Sequence, residues 1–525
     1  MARSHEVVII GGGHHGLTVA SYLAKAGADV CVVEALSTVG GGVVSAELAA
    51  PGFITDPCSV WHGVIQANPL ILNDELGLIS KFGLKYINPI NQFTVLFPDD
   101  SYITLHRDID KTCESIAKFS AHDAEAYKKF YGWAGKILDI LSQGMFNPPA
   151  PFGSMVSLLD QSEDGRALLR SLMVSGVDIC NEWFESTELK TTLTKFIAEA
   201  LVSPRTKGTG IILFAFIPLT HKYGGAIPVG GSGALSESMK KCILHYGGTV
   251  LTNCVVEKVL VGSGVAKGVM LKGGEEIFAT KAVVSNLNAK QIPDLVGKEN
   301  IPETYAVNLR NLKLSSHRSI CQGYAVHDAP NYTAGDEVNE SFFVEMAVRP
   351  YEKYLRHYDD MEYGYMHVDM PAVCCQSKLD PTRAPKGKHT VHLFHYAPYD
   401  LAEGGPSRWD EIREEVADGI LATLQRQTTN MGADNIIGRT IETPLDLERR
   451  NPAMIGGDYS HLGRELTQML GNRYLPGWGY KTPVEKFWMC GPSCHPGGGV
   501  NGGGRAAVQA LMEEMGIDFE KVIEK

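Results

Sequence analysis

Hydrophobic residues near the start of the chain follow the pattern of a strand, a turn, a helix and a second strand. The apolar run Glu6–Ile10 predicts a short buried strand. A glycine-rich turn follows at Gly11–Gly16, and apolar residues then recur at helical spacing over residues 17–24. Asp29–Glu34 predicts a second strand that ends in an acidic residue.

This unit has the residue spacing of a dinucleotide-binding turn. Gly11, Gly13 and Gly16 form G-x-G-x-x-G between a strand and a helix, the context that this motif requires. The glycines allow backbone N–H groups to approach a pyrophosphate at the helix N-terminus. Glu34 can accept hydrogen bonds from ribose hydroxyls. A second cluster, Gly40–Gly42, precedes irregular sequence instead of another βαβ unit, and this favours FAD over NAD.

A second glycine motif, at residues 262–268, has a different context. Strands are predicted on both sides of it, at Val255–Val261 and Gly268–Leu271. No helix opens after these glycines, so we interpret them as hairpin turns and not as a second nucleotide site.

The remaining pattern alternates between helical and strand-rich regions. Residues 110–200 are mostly helical, residues 222–290 contain a helix and several strands, and residues 300–445 alternate as strands with one clear helix. The strand Glu485–Met489 runs into a glycine-rich loop and the helix Arg505–Met515. We predict a discontinuous cofactor domain (residues 1–85, 222–292 and 480–525) and a substrate domain (residues 86–221 and 293–479).

Composition narrows the class of protein. The 525 residues include 48 Lys and Arg against 60 Asp and Glu, a net charge of −12, which argues against a nucleic-acid partner. The 11 cysteines form no CxxC pair, so we expect no zinc site and a reducing compartment.

An apolar strand begins five residues into the chain, so we expect no cleaved leader and a cytoplasmic protein. The longest apolar run, Ile211–Leu219, leaves a peripheral membrane contact open, with a buried strand or helix as the alternative.

Several ordered motifs resemble those of the phytoene desaturase-like FAD-dependent oxidoreductases, including the branch of pyridine nucleotide-disulphide oxidoreductase domain proteins. The motifs run from the first turn to the last loop: residues 11–16, 227–233, 283–286, 451–458, 480–483 and 490–500. The resemblance implies an α/β fold of the amine oxidase and phytoene desaturase type. In that fold a discontinuous Rossmann-like FAD-binding domain is combined with an α+β substrate domain.

The resemblance also implies roles for individual residues. The residues expected to hold FAD are Gly11, Gly13, His14, Gly16, Glu34, Gly41, Gly42, Val256, Gly491, Val500 and Asn501. Among them, Val256 is expected to offer backbone to the adenine, and the loop through Val500 and Asn501 to approach the flavin. Two positions depart from the family pattern: His15 stands where Asn is usual, and Leu36 where many relatives have a basic residue. These departures bear on FAD affinity.

Candidates for the catalytic base are His221, Tyr223 and His495, because a flavin takes a hydride while a base takes a proton. A structural role is the alternative for each of them. Cys494 and His495 are the candidates for a covalent flavin link, with packing cysteines as the preferred interpretation.

We therefore predict an FAD-dependent dehydrogenase or desaturase that acts on a hydrophobic small molecule, such as a terpenoid, isoprenoid or alicyclic compound. The alternatives are an FAD-dependent amine oxidase, a flavin-dependent isomerase, and a lipid-escort protein of the GDP-dissociation-inhibitor type. The sequence does not identify the electron acceptor, and it leaves a homo-oligomer open.

Overall fold

The computed structural model describes residues 3–524, apart from the side chain of Asp139. Its strands are Arg3–Ile10 (β1), Val30–Val33 (β2), Ala46–Glu47 (β3), Ile54–Thr55 (β4), Tyr86–Ile87 (β5), Asn91–Leu96 (β6), Tyr102–His106 (β7), Ile227–Pro228 (β8), Thr249–Leu251 (β9), Val256–Gly262 (β10), Val265–Leu271 (β11), Glu276–Ser285 (β12), Arg318–Val326 (β13), Phe343–Met346 (β14), Ala372–Cys374 (β15), His389–Ala397 (β16), Ile436–Glu442 (β17) and Phe487–Met489 (β18).

The α-helices are His14–Lys25 (α1), Pro69–Leu72 (α2), Ile109–Ala117 (α3), Ala121–Phe146 (α4), Phe152–Leu159 (α5), Glu163–Ser171 (α6), Gly176–Trp183 (α7), Thr187–Ala198 (α8), Gly210–Lys222 (α9), Gly233–His245 (α10), Ile292–Val296 (α11), Glu303–Arg310 (α12), Asp336–Asn339 (α13), Tyr351–Glu362 (α14), Trp409–Arg426 (α15), Pro444–Arg450 (α16), Gly504–Glu514 (α17) and Phe519–Ile523 (α18).

The first sheet is built around the N-terminal strand. β1 pairs in parallel with β2 on one side and with β12 on the other, and β9 extends the sheet beyond β2. The inner half of β1, Val7–Ile10, is buried, as expected for a parallel strand that is covered on both faces. The helices α10 and α17 both pack against α1 beside this sheet. The predicted strand–turn–helix–strand unit is therefore confirmed.

The hairpin interpretation of residues 262–268 is confirmed as well. β10 and β11 are antiparallel, and Gly262 pairs with Val265 across the turn. The first half of β12 continues this antiparallel layer by pairing with β11, whereas its last three residues pair in parallel with β18. β12 thus lies between the N-terminal strand β1 and the C-terminal strand β18.

A second, seven-stranded sheet has the order β17-β13-β16-β15-β14-β6-β7. Its central strands are antiparallel except at β14–β6, where the pairing is parallel. The helices α3, α4 and α6–α9 form an apolar layer beside β6 and β7, and α15 covers the other half of the sheet. The two sheets are formed by different parts of the chain. The predicted domain boundaries remain a prediction.

The apolar run Ile211–Leu219 lies in α9, which is buried along almost its whole length. This agrees with the alternative interpretation of the run, a buried helix. Over residues 3–524, no helix combines the length and the hydrophobicity that crossing a membrane would require.

A buried ion cluster joins the β8–α10 region to the second half of the chain. Arg383 is inaccessible to solvent and pairs with Asp56 at 2.5 Å and with Asp380 at 3.2 Å. Its Nη2 also donates to the carbonyl of Pro228 at 3.0 Å. Because Asp56 accepts from the backbone N–H of Ser232 at 3.0 Å, the cluster fixes the turn that opens α10.

Candidate active site

The turn between β1 and α1 presents backbone donors at the edge of the first sheet. Gly11 has φ +90°, a conformation that favours glycine, and the chain enters α1 directly after Gly13. Gly13 is the N-cap and gives α1 no side-chain cap. The first N–H groups of the helix are therefore available to an anion, which the helix dipole also favours.

The second glycine cluster packs directly on this turn. The backbone N–H of Gly40 donates to the carbonyl of Gly12 at 2.7 Å, and Gly13 and Gly40 form an isolated bridge. A Cβ at Gly41 would lie 3.2 Å from the Cα of Gly13. The close approach of the two segments explains why glycines recur at both places.

Glu34 follows β2 and is held by two backbone donors. Its Oε2 accepts from the N–H of Gly12 at 2.6 Å, and its Oε1 accepts from the N–H of Leu36 at 2.8 Å. Burial raises the pKa of the carboxyl, and these backbone hydrogen bonds act in the opposite direction. The carboxylate is thus fixed beside the turn, in the place expected for a group that binds ribose.

The C-terminal glycine-rich loop closes over the same turn. The imidazole Nε2 of His14 is 3.2 Å from the carbonyl of Gly499. Within the loop, the amide of Asn501 donates to the carbonyl of Gly497 at 2.9 Å and accepts from the N–H of Gly503 at 2.8 Å. Asn501 therefore orders the backbone that leads into α17.

One cavity of about 1110 Å³ runs from this turn into the interior between the second sheet and the helical layer. The turn, Glu34, the region around Val256 and the C-terminal loop line one part of it. Aromatic residues line much of the other part: Trp61, Phe93, Phe196, Phe216, Phe343 and Phe394. A polar cradle and an apolar chamber thus share one cavity.

The structure brings together most of the residues predicted to hold a cofactor. Those that line the cavity are Gly11, Gly13, His14, Glu34, Gly41, Gly42, Val256, Val500 and Asn501. Gly16 and Gly491 do not line it, and each packs tightly against backbone instead. A Cβ at Gly16 would lie 2.5 Å from the carbonyl oxygen of Gly11, and one at Gly491 would lie 2.7 Å from that of Asn286.

The three candidates for the base lie in different surroundings. His495 lines the cavity, and its Nε2 is 2.7 Å from the carbonyl of Gly144. His221 and Tyr223 do not line the cavity. His221 is hydrogen-bonded to the hydroxyl of Tyr127 at 2.9 Å and to the carbonyl of Arg107 at 3.2 Å. Burial lowers the pKa of both histidines to about 4, so both imidazoles are neutral near pH 7.

The cysteines of the C-terminal loop are buried, and neither lines the cavity. Burial raises the pKa of Cys490 and of Cys494 well above the usual thiol value, which keeps both thiols protonated.

Two groups within residues 3–524 bring metal-ligating atoms close together: His357, His367 and Asp369, and His122, Asp123 and Glu185. Both groups lie away from the cavity.

Sequence reasoning missed several polar residues that line the cavity, among them Glu199, Glu345, His392 and Arg464. Arg464 links the two parts of the cavity, because its guanidinium donates to the carbonyl of Ala200 at 3.1 Å and to that of Gly498 at 3.0 Å. Glu345 offered a signal in the sequence, since it is the charged residue in the otherwise apolar strand β14.

The parallel strands of the first sheet, the glycine-rich turn and the buried acid define a dinucleotide-binding protein of the Rossmann class. The family described as NAD(P)-binding Rossmann-like domain matches residues 9–68. Cyclohexylamine oxidase from Brevibacterium oxydans has a similar structure, with a TM-score of 0.59 at 16% identity over 98% of this chain and 99% of that one. The predicted fold of the amine oxidase type is confirmed.

Curated relatives match the chain over nearly its whole length. Pyridine nucleotide-disulfide oxidoreductase domain-containing protein 2 of Rattus norvegicus is 29% identical over 97% of this chain and 94% of its own. A limonene dehydrogenase subunit from Castellaniella defragrans is 26% identical, over 98% and 95%. Phytoene desaturase (lycopene-forming) of Pseudescherichia vulneris is 23% identical, over 97% and 99%. The chain is thus a homologue of the phytoene desaturase-like oxidoreductases, and the resemblance seen in its motifs is confirmed.

Proposed function

We propose that the cavity binds FAD and a hydrophobic small molecule side by side, and that the protein is an FAD-dependent dehydrogenase or desaturase. The observation that carries this proposal is the single cavity, in which the nucleotide cradle opens directly into an apolar chamber. A dinucleotide-binding protein without a redox role would not need such a chamber beside the cofactor. The names of the relatives, limonene dehydrogenase and phytoene desaturase, support a substrate of terpenoid or isoprenoid type.

The residues of the cradle fit FAD. Both ring nitrogens of His15 are buried without a hydrogen-bond partner at the start of α1, in the part of the cavity that would receive the pyrophosphate. Glu34 would hold the adenosine ribose, and Val500 with Asn501 would lie against the flavin. The bound flavin would supply the acceptor for a hydride.

The chain's own residues would orient the substrate and accept its proton. The aromatic wall makes the chamber less polar than water, which strengthens electrostatic interactions inside it. His495 is the candidate base that lines the cavity, and its neutral imidazole can accept a proton. Its lowered pKa makes it a weak base, so the proton would be held only briefly before it passes to solvent.

The absorption spectrum of the purified protein tests the cofactor. We expect flavin bands that move into the supernatant after acid precipitation, because the thiol of Cys494 lies outside the cavity. Bands that stay in the pellet would instead place the flavin on Cys494 or His495. A colourless protein that FAD cannot reconstitute would refute the proposal, whereas anaerobic bleaching by terpenoid or alicyclic compounds would support it.

A further inference from the structure

Two carboxyl groups interrupt the apolar chamber. Glu199 directly follows the last residue of α8, and Glu345 lies in β14. Glu345 is two positions after Phe343, so the two side chains share one face of the strand. That face lines the chamber, as do Phe196 and Glu199. A chamber shaped only for a hydrocarbon would have no use for these carboxyl groups.

A buried lysine lies next to Glu345. Lys195 is 1% exposed, and its Nζ lies 3.2 Å from Oε2 of Glu345. The two charges compensate each other, but neither atom has a hydrogen-bond partner. The ammonium also lies 5.7 Å from the centre of the ring of Tyr396. Buried charged groups that lack hydrogen bonds are costly, and they are therefore uncommon without a function or a ligand.

Glu199 is held by the same tyrosine. The hydroxyl of Tyr396 donates to Oε1 of Glu199 at 2.5 Å, and within residues 3–524 no other hydrogen bond reaches this carboxyl group. Burial raises the pKa of Glu199, and the negative charge of Glu345 raises it further. Near pH 7 the chamber wall thus offers the protonated carboxyl of Glu199, which can donate, and the carboxyl oxygens of Glu345, beside Lys195, which can accept.

We propose that Glu199 and Glu345 form a hydroxyl-binding subsite, and that the substrate is an apolar molecule that carries a hydroxyl group. A hydroxyl both donates and accepts, so it complements both groups. An ammonium can only donate, a carbonyl can only accept, and a hydrocarbon can do neither, so none of these complements both carboxyl groups. This inference rests on the proposed function, because it assigns the substrate class of the same cavity.

Binding of matched ligands to the FAD-loaded protein tests the subsite. Isothermal titration calorimetry would compare menthol with p-menthane, menthone and menthylamine, which share a carbon skeleton, and 1-dodecanol with dodecane. We expect the alcohol of at least one series to bind about 10- to 100-fold more tightly than its hydrocarbon, the range for hydrogen bonds to charged groups. Menthol should also bind more tightly than the ketone and the amine.

Two variants test whether Glu199 and Glu345 cause the preference for the alcohol. Glu199→Met, and the double variant Lys195→Met/Glu345→Met, replace the polar groups by apolar ones of similar volume. The double change removes both charges and so leaves neither one buried alone. In each variant we expect the preference for the alcohol to fall below about threefold, while the affinity for the hydrocarbon stays the same or rises.

Glu448→Gln is the matched control. Glu448 is also half-buried and also accepts from a tyrosine hydroxyl, that of Tyr399, but it does not line the cavity. We expect this variant to keep the full preference for the alcohol.

The outcomes separate this inference from the proposed function. If FAD fails to bind, the proposed function fails, and the inference fails with it. If FAD binds but alcohol and hydrocarbon bind equally or not at all in both series, the two carboxyl groups are only hydrated, and the subsite alone is refuted. A preference for the amine or the ketone would refute it as well. Because the wild-type protein gives these results by itself, a variant that fails to fold does not remove the test.

Discussion

The substitution Gly16→Ala tests whether the β1–α1 turn is the dinucleotide cradle. The added Cβ would lie 2.5 Å from the carbonyl oxygen of Gly11, about 0.9 Å short of the 3.4 Å at which ordinary contact begins. The neighbour is backbone, so the strain cannot be relieved by a change of rotamer, and α1 must move away from the turn. Overpacking of this kind costs about 1–3 kcal/mol, which corresponds to about 5- to 150-fold in FAD affinity if the turn bears the whole cost.

The assay is titration of the apoprotein with FAD, followed by the quenching of flavin fluorescence. Gly262→Ala is the matched control, because it lies in the same sheet and a Cβ there would meet no atom closer than 3.9 Å. We expect the control to bind FAD like the wild type, and Gly16→Ala to bind it at least fivefold more weakly while its circular dichroism stays native. Wild-type affinity in Gly16→Ala would refute the assignment of the turn.

Three further outcomes follow from buried groups. Arg383→Met leaves Asp56 and Asp380 buried without their guanidinium, so urea titration should show a free energy of unfolding lower by about 3–5 kcal/mol. Burial lowers the pKa of His62 to about 3 in the folded state, from 6.5, so the folded protein binds fewer protons than the unfolded chain. The free energy of unfolding should therefore fall as the pH drops below about 6.5, and this one group should account for about 2 kcal/mol between pH 6.5 and pH 5. In His62→Gln the free energy of unfolding should depend less on pH by that amount. Cys494→Ser should release FAD in acid just as the wild type does, whereas a change in flavin retention would contradict the buried, cavity-remote position of this thiol.

The glycine-rich turn and the acid that line one part of the cavity could be predicted because local chain geometry determines them. A strand, three spaced glycines, a helix and a terminal acid lie within about 30 consecutive residues, and each has a function that its position alone implies. The same reasoning separated the hairpin at Gly262 from a nucleotide turn, because the flanking strands are also local. The C-terminal loop was expected near this turn for a different reason, namely the resemblance of its motif to known proteins, and it lies against His14 in the structure.

The two histidines proposed as the base show the limit of this reasoning. Proximity to a motif along the chain suggested both His221 and His495, yet only His495 lines the cavity, and the side chain of His221 is engaged by Tyr127 and Arg107. No periodicity in α9 distinguishes a histidine that faces the cavity from one that faces a neighbouring helix. The choice of the base stays a prediction, and a pH profile of each variant would decide it.

The polar groups of the chamber could not be predicted from the sequence for a different reason. Glu199 follows a helix and Glu345 lies in a strand, and they line the same chamber because α8 packs on β7, two strands from β14 in the second sheet. Contacts of this kind depend on tertiary packing and leave no spacing in the sequence. Proteins that share the nucleotide-binding motifs can therefore share the cofactor and still differ in substrate, because the residues that select the substrate lie outside those motifs. In this chain the wall formed by α8 and β14, and not the glycine-rich turn, is the place where changes in substrate preference are expected.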